Sequence, residues 1–240
     1  MADPPTDPQA QPPPPAANTT GWQADFPLPR VLGRLQRAAQ AWQTPALELV
    51  AAQSGDSYAV LVGTVLSLRT RDATTLAALG RLRAVAPSVP VLAGLDPAVI
   101  AEAIRPVAFY RVKAGQLQRM AALIQTRHGG QVPADLEALL ALPGVGRKTA
   151  NLVLGLGFGV PAVCVDTHVH RILNRLGALK SRDPEQTEHL LRQHLHRRWW
   201  LRVNAVLVPF GQTLCTPQSP WCSRCPVQAA CHRVGVGRSR

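Results

Sequence analysis

The sequence predicts an all-α protein of roughly ten short helices. Three observations lead there. Apolar residues recur at three- and four-residue spacing from about residue 28 onward, and strand signals are scarce. Hydrophobic residues make up 46% of the chain but aromatics only 5%, which suits an aliphatic helical globule. At 240 residues the chain can bury one large core or two small ones.

The elements follow in order. Residues 1–27 hold Pro4, Pro5, Pro8, Pro12 to Pro15 and Pro27, and proline has no backbone N–H to donate, so a disordered arm is expected there. Val31, Leu32, Leu35 and Ala38 mark the first amphipathic helix. Tyr58 to Leu66 is an unbroken apolar run, read as a buried helix. It ends at SLRTRD, Ser67 to Asp72, where Asp72 is placed as the cap of the next helix, with Leu76, Leu79 and Leu82 facing inward. Pro97 opens a short helix and Pro106 marks a boundary. A long helix follows with Val112, Leu117, Met120 and Leu123 facing in, and it stops at Gly129-Gly130. Ala134 to Ala141 is a short helix carrying Leu136, Leu139 and Leu140.

Charge narrows the partner. The net charge is +12, and residues 1–27 contribute three aspartates and no base, so the remainder carries +15. No acidic residue follows Glu188, whereas eight arginines do. Such a field favours a polyanion, nucleic acid first among them. No apolar run reaches the ~18–20 residues of a membrane span, and no basic-then-apolar signal opens the chain. A reducing cytosol is expected, where five cysteines suggest metal or catalysis rather than disulfides.

Between two helical patterns runs LPGVGRKTAN, Leu142 to Asn151, which reads as a helix–hairpin–helix. Gly144 and Gly146 flank Val145 and permit left-handed backbone and close approach; their N–H groups, with the first free N–H groups of the next helix, suit one phosphate, and Arg147 adds charge. Such a contact positions DNA without reading bases. A plain turn with a glycine cap is the simpler account of G-x-G alone. Lys148 is one of only three lysines, with Lys113 and Lys180, among 26 basic residues. A helix N-terminus and the adjacent Arg147 both disfavour an ammonium, and a neutral amine is a nucleophile that arginine can never be. A phosphate-binding lysine is the competing account, yet arginine would have served for that. In VDTHVHR, Val165 to Arg171, Asp166 precedes the helical pattern of Val169, Ile172, Leu173 and Leu176. It suits an N-cap, a carboxylate held ionised for proton transfer, or both. His168 and His170 point to different helix faces and make poor metal partners. Cys164 is read as a small buried residue.

The tail CTPQSPWCSRCPVQAAC offers Cys215, Cys222, Cys225 and Cys231 at spacing C-x6-C-x2-C-x5-C. Four thiolates in one loop suit zinc or an iron–sulfur cluster, and spacing alone does not choose.

Together these motifs resemble the endonuclease III family of DNA base-excision repair glycosylases, over about residues 28–235. The resemblance implies a two-domain α fold with a DNA cleft between the domains. Residues 50–160 would form a six-helix barrel ending in the hairpin. Residues 28–49 with 161–240 would form the cluster domain, its [4Fe–4S] group held by the four cysteines. It implies Lys148 as the nucleophile that forms a Schiff base at C1′ and nicks the abasic site by β-elimination, and Asp166 as its aspartate partner. The partner would be double-stranded DNA bearing oxidised pyrimidines or abasic sites, with no membrane, and the chain a cytoplasmic, nucleoid-associated monomer. Two positions depart from the family. Arg69 stands where a gap-filling Gln is common, and Phe109 where a Leu wedge is common. Each has a plainer account, a phosphate contact for Arg69 and a core position for Phe109. Two alternatives remain: a monofunctional mismatch glycosylase, whose members usually lack a lysine at Lys148, and a non-enzymatic cluster-bearing DNA-binding protein.

Overall fold

The computed structural model describes residues 21–39, 42 and 44–240. The expected arm lies outside the described residues as far as residue 20. Its last part does not behave as an arm. Trp22 forms an isolated antiparallel bridge with Leu179, the Gln23 N–H donates to the Ala178 carbonyl at 3.1 Å, and Phe26 is buried. Proline content drew the boundary too late, because Trp22 and Phe26 supply apolar surface that the fold uses.

Twelve α-helices form among the described residues: α1 (Leu28–Ala38), α2 (Ala46–Ser54), α3 (Ser57–Ser67), α4 (Asp72–Val85), α5 (Val89–Gly94), α6 (Pro97–Ile104), α7 (Tyr110–His128), α8 (Leu136–Leu140), α9 (Arg147–Leu152), α10 (Thr167–Leu176), α11 (Pro184–His194) and α12 (Trp200–Thr213). Among the described residues no helix is long and apolar enough to cross a membrane.

Aspartate starts many of them. Asp56, Asp96, Asp135, Asp166 and Asp183 each accept a first-turn N–H at 2.7–2.9 Å. Such a bond satisfies one of the donors a helix start leaves unpaired. The chain has only 14 acidic residues, so caps consume over a third of them and leave the arginine surface largely unopposed. Asp72 does not cap its own helix. Arg71 takes the extended cap position, and Asp72 Oδ2 instead receives the Ala46 N–H at 3.1 Å, capping α2 from across the fold.

In α7 the inward face is Lys113, Leu117, Met120 and Ile124, with Leu123 half-buried. Val112, expected inside, is 62% exposed. The helix starts at Tyr110, so the i, i+4, i+7 pattern that buries Leu117 selects Lys113 one residue later. The helix ends as expected, with Gly129 and Gly130 both left-handed and the Gly130 N–H on the Ile124 carbonyl.

Two hydrophobic clusters organise the chain. The first runs from Val50 to Ala162 around α3, whose residues Tyr58 to Leu66 are all buried. The second joins Phe26, α1 and residues from Val163 onward, through α10, α11 and α12 to Val227. α9 widens into a π-turn over Val153–Gly157 just before the chain passes from one cluster to the other.

Candidate active site

A cleft of about 960 Å³, open to solvent, lies where the two clusters meet. Its lining includes Glu48, Arg69, Lys148, Asp166 and His168.

The hairpin places Lys148. Gly144 is left-handed at φ 79°, and a Cβ there would sit 3.2 Å from the Gln116 amide carbon of α7. Gly146, expected to share that role, has φ −95° and is the extended cap residue of α9. Val145, expected at the DNA contact, has its side chain buried in the first cluster, and its N–H closes the turn on the Leu142 carbonyl at 3.1 Å. Arg147 also turns inward. Its Nε lies 3.0 Å from Oε2 of the buried Glu188 on α11, whose Oε1 is 3.6 Å from Arg192 Nη1. Arg147 thus spends its charge anchoring the hairpin to the second cluster. What remains available at the hairpin is the first turn of α9, whose N–H groups have no acceptor within the helix.

Lys148, second residue of α9, reaches across the cleft. Its Nζ is 3.6 Å from Asp166 Oδ2. The Asp166 carboxylate divides its oxygens. Oδ1 accepts the His168 and Val169 N–H groups at 2.8 and 2.9 Å, and Oδ2 faces Lys148. One oxygen of Asp166 thus caps α10 while the other is left to face the amine. The Asp166 side chain is 10% exposed and that of Lys148 41%, so the amine stands open to an incoming molecule while the carboxylate is held. Cys164 is buried as expected; burial pushes its thiol up to about 12. Its Sγ lies 3.9 Å from the Lys148 carbonyl. His168 packs against Gly211, where a Cβ would come within 2.6 Å of Nδ1, and burial lowers its pKa. His170 bonds Thr187 instead, on another face.

Glu48 went unseen in the sequence. It sits in the first turn of α2, lines the same cleft, and burial pushes its carboxyl up. The segment ALELV announces only an apolar helix start.

Arg69 and Phe109 both adopt left-handed backbone, at φ 56° and 57°. Phe109 is 59% exposed, which removes the core account of it. The Arg69 guanidinium carbon lies 5.8 Å from the Phe109 ring centroid, so the two form one cation–π pair at the surface.

Cys215, Cys222, Cys225 and Cys231 are free thiols that line one pocket of about 380 Å³ together with Arg175 and Phe210. Burial pushes the Cys225 thiol up to about 11, and the other three cysteines are near enough to add to the shift. Backbone and guanidinium donors reach the sulfurs: Arg233 N–H to Cys231 at 3.4 Å and Arg175 Nη1 to Cys215 at 3.7 Å. Among the described residues no three His, Cys, Asp or Glu side chains close on a point that would seat a single ion.

Residues 62–197 match the family model described as HhH-GPD superfamily base excision DNA repair protein. Endonuclease III of Thermotoga maritima is 44% identical over 188 residues, covering 77% of this chain and 88% of that protein. Endonuclease III homolog 2, chloroplastic, of Arabidopsis thaliana is 42% identical over 183 residues; the match covers 72% of this chain and about half, 47%, of the plant protein. Among solved structures, a trapped endonuclease III–DNA covalent intermediate, an estranged-adenine complex, superposes with a TM-score of 0.77 at 30% identity, over 86% of this chain and 94% of that one.

Proposed function

Because the chain belongs to the HhH-GPD superfamily and, within it, to the endonuclease III family, we propose that it is a bifunctional DNA glycosylase and abasic-site lyase acting on oxidised pyrimidines. The observation that carries this is the Lys148 amine facing the Asp166 carboxylate at 3.6 Å in an open cleft.

The nucleotide leaves the base stack to present C1′ to the cleft. Lys148 Nζ attacks C1′, the N-glycosidic bond breaks, and its electron pair leaves with the base. Asp166 Oδ2 takes the proton the amine sheds and stabilises the cationic sugar before the new bond is complete. Ring opening gives an imine between Lys148 and C1′. Loss of a C2′ proton then expels the 3′ phosphate, and water hydrolyses the imine to free the amine. Arg69 and Phe109 enter the gap left by the flipped nucleotide. Phe109 stacks there, and Arg69, with five donors and no acceptor, favours guanine opposite the lesion.

The two clusters support a division into a barrel domain over residues 50–160 and a second domain of residues 28–49 with 161–240, the chain acting as a monomer. Cys215, Cys222, Cys225 and Cys231 would hold a [4Fe–4S] cluster. Four half-buried thiols around one pocket, with N–H donors to two sulfurs, fit that group. When bound, the cluster ties the basic tail into a fixed shape.

Single-turnover reaction with a duplex holding one oxidised pyrimidine is the test. Free base and a strand ending in an unsaturated aldehyde are expected. Free base with an intact strand would make the protein monofunctional, and neither product would leave a DNA-binding protein.

A further inference from the structure

We propose that Lys113 is a positioning residue that joins Arg69 and Phe109 into one rigid two-pronged element. This rests on the reading of the cleft as a glycosylase site whose prongs enter the duplex.

Lys113 is the first of the chain's three lysines and is only 5% exposed. It sits on the first turn of α7, four residues after Phe109, and reaches back to the loop that carries Arg69. Its Nζ donates to the Leu66 carbonyl at 2.9 Å, to the Leu68 carbonyl at 2.6 Å and to Thr70 Oγ1 at 3.4 Å. Those acceptors bracket Arg69. Thr70 Oγ1 also receives the Ala108 N–H at 3.2 Å, so the turn before Phe109 is fastened to the same loop a second time. Both prongs hang from residues in left-handed backbone, a conformation that non-glycine residues keep only when the surroundings enforce it.

The chemistry of the site favours lysine over its substitutes. Leu66 and Leu68 present carbonyls at the C-terminal end of α3, which attracts a cation. A compact ammonium with three rotatable donors meets three acceptors in different directions, whereas a planar guanidinium does not. Burial alone pushes the Lys113 pKa down to about 8, so desolvation opposes the charge here. An apolar side chain would face no such opposition, and a buried ion is a weak source of stability. What the ammonium adds is a fixed distance between two loops. Prongs held at their working separation before DNA arrives lose less freedom on insertion.

A double-mutant cycle tests this. Affinity is measured for a duplex with a tetrahydrofuran abasic analogue opposite guanine and for the same duplex undamaged. The proteins are wild type, Lys113→Met, Phe109→Ala, the double variant and Thr70→Ala. Lys113→Met should weaken the abasic duplex about tenfold, the scale of a lost stacking contact. It should move the undamaged duplex by less than about threefold, and Phe109→Ala added to it should cost less than about threefold more, because groups acting as one unit are not additive. Thr70→Ala, which leaves the ammonium its two carbonyls, should shift affinity in the same direction by a smaller factor, and it decides the matter if Lys113→Met does not fold. Full additivity, or equal losses on both duplexes, would overturn the proposal. An inert Phe109→Ala would also overturn it, since nothing would remain to position. Borohydride trapping by the wild-type protein on a duplex with an aldehydic abasic site reports separately on the reaction: a normal yield would leave the Schiff-base reading of the cleft standing.

Discussion

Asp166 performs two tasks with two oxygens, and a single substitution separates them. Asparagine keeps a carbonyl for the His168 and Val169 N–H groups but sets an amide where Oδ2 faces Lys148. Asp166→Asn should therefore melt within a few degrees of wild type, since Asn caps as well as Asp, and release base about 10²-fold more slowly. Circular dichroism melts and single-turnover rates check the two halves. A low-melting variant with normal turnover in the cold would reduce Asp166 to a cap. Lys148 and Asp166 were legible in the sequence because each is marked locally, one as a rare amine at a helix start and the other by its place before an apolar pattern. Glu48 was not legible, since only the packing of α2 against the cleft turns an ordinary first-turn glutamate into a half-buried acid with a raised pKa. The inward turn of Arg147 and the burial of Val145 were not legible for a related reason. A motif shows which residues stand near a phosphate, but Glu188, 41 residues away, decides where the guanidinium points.

Helix α2 depends on a residue outside it. Asp72 Oδ2 holds the Ala46 N–H, and Pro45 offers no side-chain cap of its own. Asp72→Ala should lower stability by about 1 kcal/mol, the usual value of a lost cap. It should also loosen the turn that carries Glu48. Urea midpoints read the first effect, and hydrogen exchange at the α2 amides reads the second. An unchanged midpoint would mean the bond is not formed in solution. Element by element, the apolar patterns located α1, α3, α4, α7, α8 and α10, because burial against a core follows the helical period, and Pro97 located α6. They failed at edges. Val112 and Lys113 are neighbours in the first turn of α7, and the acceptors at the end of α3 draw the polar one inside. Trp22 and Phe26 were given to the arm because proline signals a lack of structure only until an aromatic finds a core.

The whole molecule sets two helical cores side by side with a cleft between them, on a chain of whose 14 acidic residues six act as caps and Glu188 as a buried partner. The all-α class was legible from periodicity. The joining of α1 to the C-terminal third was not, since it is a contact across more than a hundred residues that came only with the family resemblance. The cysteine pocket predicts that the purified protein is brown and carries about four irons per chain. Metal analysis finding one zinc and no iron would replace the cluster by a zinc site and leave the cleft chemistry untouched. The account turns on Lys148 as the nucleophile, and one measurement addresses it directly: borohydride reduction on an abasic duplex, followed by peptide mapping of the cross-linked residue. The adduct should map to Lys148, and Lys148→Gln should lose it while keeping most of its affinity for the duplex, because many phosphate contacts share the binding. An adduct on Lys113, Lys180 or the N-terminal amine, or an undiminished adduct in Lys148→Gln, would contradict the account.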